Sequence, residues 1–339
     1  MYMIAIDSGT TNSRIRLVND KQNKVIDVIK LNVGVRNTAI DGNADVLKRK
    51  IAEGLQEIIL RNNLRSTDIQ YIVAAGMITS NLGLFEVKHI EAPAKLEDFA
   101  KASSVRTEDY FCHIPCIFVP GMKNKIEYYE GELADQLDRH DVMRGEEVES
   151  FGLVNQIGLQ GKGMIVLPGS HTKFVFMEDR QIESCYSTLC GELLFAVSRE
   201  TILSSSLDKE LITSVEPEYL IEGYKASEKF GLTRALYHVR LADVFNQMNK
   251  NQRANYLVGA VMSCDIRTIL KSKRLEELDY VVIGGGNPLR RAFGEIFSYL
   301  DLKNVTVSSD EQVDFSTVIG SKVIGDIVFL TTITSKRGG

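Results

Sequence analysis

Met3-Ile4-Ala5-Ile6-Asp7-Ser8-Gly9-Thr10-Thr11-Asn12-Ser13-Arg14-Ile15-Arg16-Leu17-Val18 lies at the start of the chain and sets its fold class. Met3 to Ile6 form a short apolar strand. Asp7 to Asn12 hold an acid, a glycine and small hydroxyl residues, the composition of a tight turn. From Ser13 to Val18 polar and apolar residues alternate, the period of a half-buried strand. The stretch therefore predicts a hairpin with a carboxylate at the end of its first strand. A third strand is expected over 24–31. A helix follows with Asn43 as N-cap, and Val46, Leu47, Ile51, Leu55, Ile58 and Ile59 fall close to one of its faces. The continuous apolar run from Ile69 to Ala75 reads as a buried strand.

The order of three strands, helix and strand returns later. Gly163 to Leu167 is an apolar strand ending at Pro168-Gly169-Ser170-His171-Thr172. Lys173 to Met177 leads back from that turn, and Gln181 to Ser187 supplies the third strand. A mostly helical stretch is expected over 191–270. Tyr280 to Ile283 is a buried strand that ends in Gly284-Gly285-Gly286-Asn287, and Pro288 suits the first turn of the next helix. Val305 to Val307, a final helix over 315–331 and a frayed tail over 336–339 complete the reading. Two copies of a strand-rich α/β unit predict two similar lobes, 1–145 and 146–339, with a ligand cleft between them.

Composition limits what such a chain does. Its 339 residues are 44% hydrophobic and 25% charged, enough for a large core without disulfides or metals. Forty Lys+Arg against 45 Asp+Glu leave a net charge of −5, which disfavours a nucleic-acid binder. No apolar run nears the roughly 18 residues that cross a bilayer, so no membrane association is expected. The start from Met1 to Ile6 meets Asp7 at once, too soon for a signal peptide. Cys112, Cys116, Cys185, Cys190 and Cys264 are an odd, sparse set, as in a reduced cytoplasmic protein. Cys112, His113 and Cys116 have no second cysteine pair at zinc-finger spacing, so packing is their expected role.

Chemistry concentrates in a few places. In the turn from Asp7 to Asn12, small residues let backbone N–H groups approach an anion. The acid can hold Mg²⁺ against phosphate oxygens, directly or through water. No G-x-x-x-x-G-K-[ST] motif is present. The turn from Pro168 to Lys173 is of the same kind. In Gly284-Gly285-Gly286-Asn287, Leu289 stands where a dinucleotide fingerprint needs its third glycine, and the glycines suit close approach of a flat ring or ribose. Asp141-Val142-Met143-Arg144-Gly145-Glu146-Glu147 combines acids, a cation and a glycine at a helix start, the parts of a general base beside an anion anchor. Thr79, Ser80 and Asn81 follow a buried strand with groups that bind polyols.

In this order the parts resemble the actin/hexokinase/sugar-kinase superfamily. Asp7 to Asn12 looks like its first phosphate motif, Leu167 to Lys173 its second, and Ile283 to Asn287 its adenosine motif. Within it the chain resembles the 2-dehydro-3-deoxygalactonokinase family. That likeness is carried by Ala75-Gly76-Met77, Ser80-Asn81-Leu82-Gly83, Val119-Pro120-Gly121, Val142 to Glu147, Pro168 to Lys173 and Gly191-Glu192-Leu193. The resemblance implies an α/β fold of two ribonuclease-H-like lobes around a central ATP and substrate cleft. It implies a kinase that uses ATP and Mg²⁺ to phosphorylate the 6-hydroxyl of 2-dehydro-3-deoxy-D-galactonate. The alternatives are another sugar acid, such as the gluconate epimer, or an actin-like ATPase. The small-molecule acid is the expected partner, and a homodimer is left open. Asp7 would serve catalysis and the metal. Gly9, Thr10, Thr11, Asn12, Gly169, Ser170, His171, Thr172 and Lys173 would hold phosphates, and Gly284, Gly285, Gly286 and Asn287 the nucleoside. Thr79, Ser80, Asn81, Arg144 and Glu147 would bind the acid. Many relatives place an Asp base at a helix start before the second phosphate motif. Glu146 holds that place here, with Glu147 and Asp141 as alternatives.

Overall fold

A computed structural model of the chain describes residues 1–19, 21–22, 24–126, 130–271 and 274–337. Two compact units divide it. The first holds Met1–Leu159, Arg180–Cys185 and Asp310–Gly339, and the second Gln160–Asp179 and Tyr186–Ser309.

The first unit opens with β1 (Tyr2–Ser8), β2 (Ser13–Asn19) and β3 (Lys24–Leu31), followed by α1 (Val35–Asp41), α2 (Asp45–Arg61) and β4 (Ile69–Gly76). Next come β5 (Ile90–Glu91), α3 (Leu96–Ala102), β6 (Ser104–Arg106), β7 (Cys116–Phe118), β8 (Met122–Lys123), α4 (Leu133–Asp138), β9 (Val142–Met143) and α5 (Glu146–Ile157). The main sheet runs β3-β2-β1-β4-β7-β6, and β5-β8-β9 form a small second sheet. β1 is antiparallel to β2 and parallel to β4. Ile4, Ile6, Ile15, Leu17, Ile72 and Ala74 pack one sheet face against Leu47, Ile51, Leu55 and Ile58 of α2. The period-2 pattern of β2 and the helical spacing of α2 thus bury their apolar sides together. Asn43 does not end as the N-cap, which is Ala44. Its side chain accepts the Asp45 N–H at 3.1 Å, next to the expected place. The helix α1 was not evident from the sequence.

The second unit holds β10 (Lys162–Leu167), β11 (Thr172–Glu178), most helices of the chain's second half, and β13 and β14 below. Strand β12 (Gln181–Thr188) crosses the division between the units. α6 (Cys190–Glu200), α7 (Pro217–Phe230), α8 (Leu232–Val244) and α9 (Lys250–Lys271) precede β13 (Tyr280–Ile283), α10 (Leu289–Tyr299) and β14 (Val305–Val307). The sheet order β12-β11-β10-β13-β14 repeats that of β3-β2-β1-β4-β7, with β10 antiparallel to β11 and parallel to β13. Both sheets are of the ribonuclease-H-like kind. Met164, Val166, Phe174, Val281 and Ile283 form the core with Phe293 and Ile296 of α10.

The final helix, α11 (Asp310–Arg337), starts earlier than the sequence predicts, extends into the expected tail, and belongs to the first unit. Residues 338 and 339 of that tail lie outside the described residues. The units therefore do not divide as 1–145 and 146–339. The physical reason is a close helix pair. Cβ atoms on Gly152 of α5 and Gly320 of α11 would collide with the carbonyls of Ser316 and Val148 respectively. Tyr71 of β4 adds a 2.5 Å hydrogen bond to Asp326.

Candidate active site

In the first unit Asp7 is the penultimate residue of β1, opposite Arg14 and beside Ala75 of β4, with Ser8 buried behind it. The next residues, Gly9 to Asn12, are exposed. Their turn is closed by the Gly9 N–H to the Asn12 carbonyl at 2.9 Å, and Asn12 Nδ2 donates to Thr11 Oγ1 at 3.0 Å. Behind it, Ser13 Oγ lies 2.7 Å from Ser8 Oγ and donates to the Val33 carbonyl at 2.8 Å. The N-terminus of α1 donates into the turn from the same side. Val35 N–H reaches the Gly9 carbonyl at 3.3 Å and Arg36 N–H the Thr10 carbonyl at 2.9 Å. A Cβ on Gly34 would stand 2.5 Å from both carbonyl oxygens. With its carbonyls held, the turn keeps a fixed shape for an incoming anion.

Another segment meets the end of β1, and a further one meets that segment. A Cβ on Gly76 would stand 2.5 Å from the Ser8 carbonyl and 3.4 Å from Asp7 Oδ1. One on Gly145 would stand 3.1 Å from the Gly76 Cα. Gly145 is the N-cap of α5 with φ +116, a conformation that only glycine adopts without strain. Two glycines thus pack the start of α5 against the end of β4, and the end of β4 against the end of β1.

The neighbouring carboxylates have opposite surroundings. Glu146 is partly exposed and its Oε2 accepts the Arg144 N–H at 3.0 Å. Glu147 is fully buried, and both its oxygens lie 2.8 Å from the Gly145 N–H. Burial, and then the charge of Glu146, push its carboxyl up to about 8 against two backbone hydrogen bonds and Arg144.

Three of the expected acceptor ligands have protein partners of their own. Glu147 has no exposed surface and is turned back on its own helix end. Thr79 is also fully buried, with its hydroxyl on the Gly76 carbonyl at 3.1 Å. Arg144 spends both Nη atoms on the protein. Nη1 donates to the Thr79 carbonyl and hydroxyl, each at 2.7 Å, and Nη2 to the Val87 carbonyl at 2.9 Å. Ser80 is 7% exposed with its hydroxyl on the Met77 carbonyl at 2.7 Å, whereas Asn81 is exposed.

The second unit builds its turn by the same means. Gly169, Ser170 and His171 are exposed. The α6 terminus donates the Glu192 N–H to the Ser170 carbonyl at 2.9 Å, and a Cβ on Gly191 would collide with the Gly169 carbonyl. His171 Nε2 lies 3.1 Å from Glu192 Oε1. Thr172 is fully buried and Lys173 is 6% exposed, with Nζ donating to Ser187 Oγ at 2.6 Å. Both therefore support the turn from within. Gly284 N–H donates to the Val166 carbonyl at 2.8 Å, and a Cβ on Gly285 would stand 2.6 Å from the Pro168 carbonyl, so the glycine-rich turn lies against the 168–172 turn. Gly286 and Asn287 are exposed. Pro288 is the N-cap of α10, one place before the position expected for it. No motif in the chain points to Arg290, which is 4% exposed and donates to the Gly285 carbonyl at 3.2 Å. The buttressing Gly34 was equally unforeseen, although a glycine directly before a helix is a readable cue.

A family model for 2-keto-3-deoxy-galactonokinase matches residues 7–316. The chain belongs to this family. A Rhizobium meliloti protein named a probable 2-dehydro-3-deoxygalactonokinase is 27% identical over 92% of this chain and 94% of its own length. The Escherichia coli 2-dehydro-3-deoxygalactonokinase is 22% identical over 58% of this chain and 61% of its own. A crystal structure of a Sinorhizobium meliloti protein assigned to the same activity superposes with TM-score 0.75 at 20% identity, over 96% of this chain and 97% of that one. The family's sugar-kinase fold is the fold described above. Among the described residues no helix is long and apolar enough to cross a membrane.

The kinase family implies ATP and a divalent metal, and the residues present suit them. Nothing stands within 4 Å of where a Gly286 Cβ would be, which leaves the backbone open to a flat ring. Among the described residues no group of three or more His, Cys, Asp or Glu could hold a metal alone. Mg²⁺ is commonly held by one or two carboxylates, with water and phosphate oxygens completing its shell, and Asp7 beside the 9–12 turn is a donor of that kind.

Proposed function

We propose that this chain is an ATP-dependent 2-dehydro-3-deoxygalactonokinase that phosphorylates the 6-hydroxyl of its sugar acid. The observation that carries the reading is the approach of α5 to β1 through Gly145 and Gly76, which gathers a strand-end carboxylate and a helix-start carboxylate in one unit. Phosphoryl transfer needs positioning and charge neutralisation more than covalent chemistry. Glu146 takes the hydroxyl proton. It is partly exposed, whereas Glu147 is sealed in and Asp141 is held by the Val142 N–H at 2.7 Å. Asp7 orients the divalent ion, which when bound neutralises phosphate charge. The turns at 9–12 and 169–171 hold phosphates by their N–H groups, and 284–287 seat the nucleoside. Ser80 and Asn81 face the acceptor, while Arg144, Thr79 and Glu147 hold the loop and helix end in place.

The test is coupled ADP release over a panel of aldonic and 2-keto-3-deoxy acids. Turnover that requires 2-dehydro-3-deoxy-D-galactonate is the expected result. Preference for the gluconate epimer would move the substrate, and equal turnover without acceptor would point to a bare ATPase.

A further inference from the structure

Val119-Pro120-Gly121 is a family-like motif that none of the phosphate turns uses. It joins β7 to β8, and its glycine lies against His89. A Cβ on Gly121 would stand 2.8 Å from His89 Cδ2, 3.0 Å from Nε2 and 2.6 Å from the Met143 carbonyl oxygen. Any larger residue would push the ring away. The ring has a second neighbour in Arg144, whose Nη2 lies 3.2 Å from Nδ1 and 3.2 Å from Nε2. The two nitrogens flank Cε1. An atom this close to both overlaps Cε1 unless it sits over the ring face. The guanidinium is therefore stacked on the imidazole, and it leaves the in-plane hydrogen-bonding directions of both nitrogens unspent. His89 has no other hydrogen-bond partner among the described residues.

The stacked cation is itself immobilised by Thr79 and Val87. His89 thus rests on a fixed floor, two residues after Val87 and on the Arg144 side of the Ser80–Asn81 loop. It is partly buried, and burial first, then the Arg144 charge, lower its basicity. A neutral imidazole offers one donor and one acceptor. A hydroxyl also both donates and accepts, so the two match.

We infer that His89 binds the acceptor directly, with a ring nitrogen hydrogen-bonded to a hydroxyl of the sugar acid, and that Arg144 and Gly121 are its positioning residues. This rests on the kinase reading above. It also gives the 119–121 motif a purpose, since Gly121 makes room for the ring.

The test is steady-state kinetics of His89→Phe and His89→Asn with 2-dehydro-3-deoxy-D-galactonate, alongside thermal unfolding. Phe keeps a flat ring over Arg144 without the nitrogens, and Asn restores a donor and an acceptor. In His89→Phe the KM for the acid should rise about tenfold, as for loss of one substrate hydrogen bond, with the KM for ATP within about twofold of wild type. His89→Asn should recover part of the loss. A purely structural ring would move both KM values with the melting temperature and would not be rescued by Asn, and that pattern overturns the inference. So does an unchanged KM for the acid in a folded His89→Phe enzyme. A wild-type enzyme that turns over no 2-keto-3-deoxy acid would bring down the kinase reading and the inference with it. Turnover by wild type with unaltered His89→Phe would bring down the inference alone.

Discussion

Glu146 and Glu147 show how one peptide bond separates two different chemistries. The sequence presents them as equals. The helix start gives them different surroundings, because the second residue of α5 is buried on the Gly145 N–H while the first stays partly exposed. Glu146→Gln should lower kcat more than it alters KM, since a base acts in the transition state. Wild-type kcat would sink the assignment. Glu147 should be visible in pH-dependent stability instead. Its carboxyl is raised from 4.5 to about 8 in the folded protein, so the folded state holds the proton more tightly than the unfolded chain does. The resulting stability is fully present below pH 4.5 and is lost as pH rises through 8. Glu147→Gln keeps an acceptor for Gly145 and carries no charge. The melting temperature of the variant should therefore gain on wild type as pH rises from about 4.5 to about 8 and level off above that, and a constant gap would refute the raised carboxyl. Asp7→Asn should cost about a hundredfold or more in kcat while the fold persists, because a charge that orients the metal is lost. Asp7 was legible because it interrupts an apolar strand at a glycine turn. Arg144 was not, because the groups that occupy it lie 65 and 57 residues earlier in the chain.

At the scale of elements, strands were the most legible part. The unbroken apolar runs of β4, β10 and β13 are direct consequences of burial on both faces, whereas β2 alternates like a half-buried strand yet buries Arg16 and Val18 beside Ile15 and Leu17. Helix ends were less so. The short helix α1 buries little beyond Val35 and Thr38, so no apolar stripe announces it. Yet this helix fixes the turn at 9–12, as the start of α6 fixes the turn at 169–171. The two turns share no sequence beyond small residues, but both have carbonyls that accept N–H groups from a helix N-terminus packed through a glycine. Gly34→Ala tests the device. Its Cβ would stand 2.5 Å from the Gly9 and Thr10 carbonyl oxygens, so the turn has to shift. The fold should survive, with a stability loss of about 1–3 kcal/mol for the overpacked contact. The KM for ATP should rise while that for the sugar acid changes less. Unaltered nucleotide kinetics would mean that the turn does not hold phosphate.

At the scale of the whole molecule, the duplicated pattern of strands revealed two ribonuclease-H-like sheets, but not which unit receives the last helix. Chain order alone places α11 after β14, and so with the second unit. Packing places it with the first. No local sequence signal carries that information, because Gly152 and Gly320 matter only once α5 and α11 lie side by side, and Tyr71 meets Asp326 across 255 residues. The arrangement predicts what truncation after Ser309 should do. Removing α11 strips cover from α5 and from the β1 and β4 side of the first sheet, leaving Val148, Tyr71 and Val73 facing water. Exposing several large side chains at about 1.5–3 kcal/mol each would use up most of a domain's stability of about 5–15 kcal/mol. The second unit keeps its sheet and the α7–α9 pair intact, since none of its buried residues lie in α11. Hydrogen exchange on the truncated chain should therefore show lost protection across β1, β4 and α5, with β10, β13 and α9 still protected. If instead α9 and β13 lose protection while β1 and β4 keep theirs, α11 belongs to the second unit and the division described here is wrong.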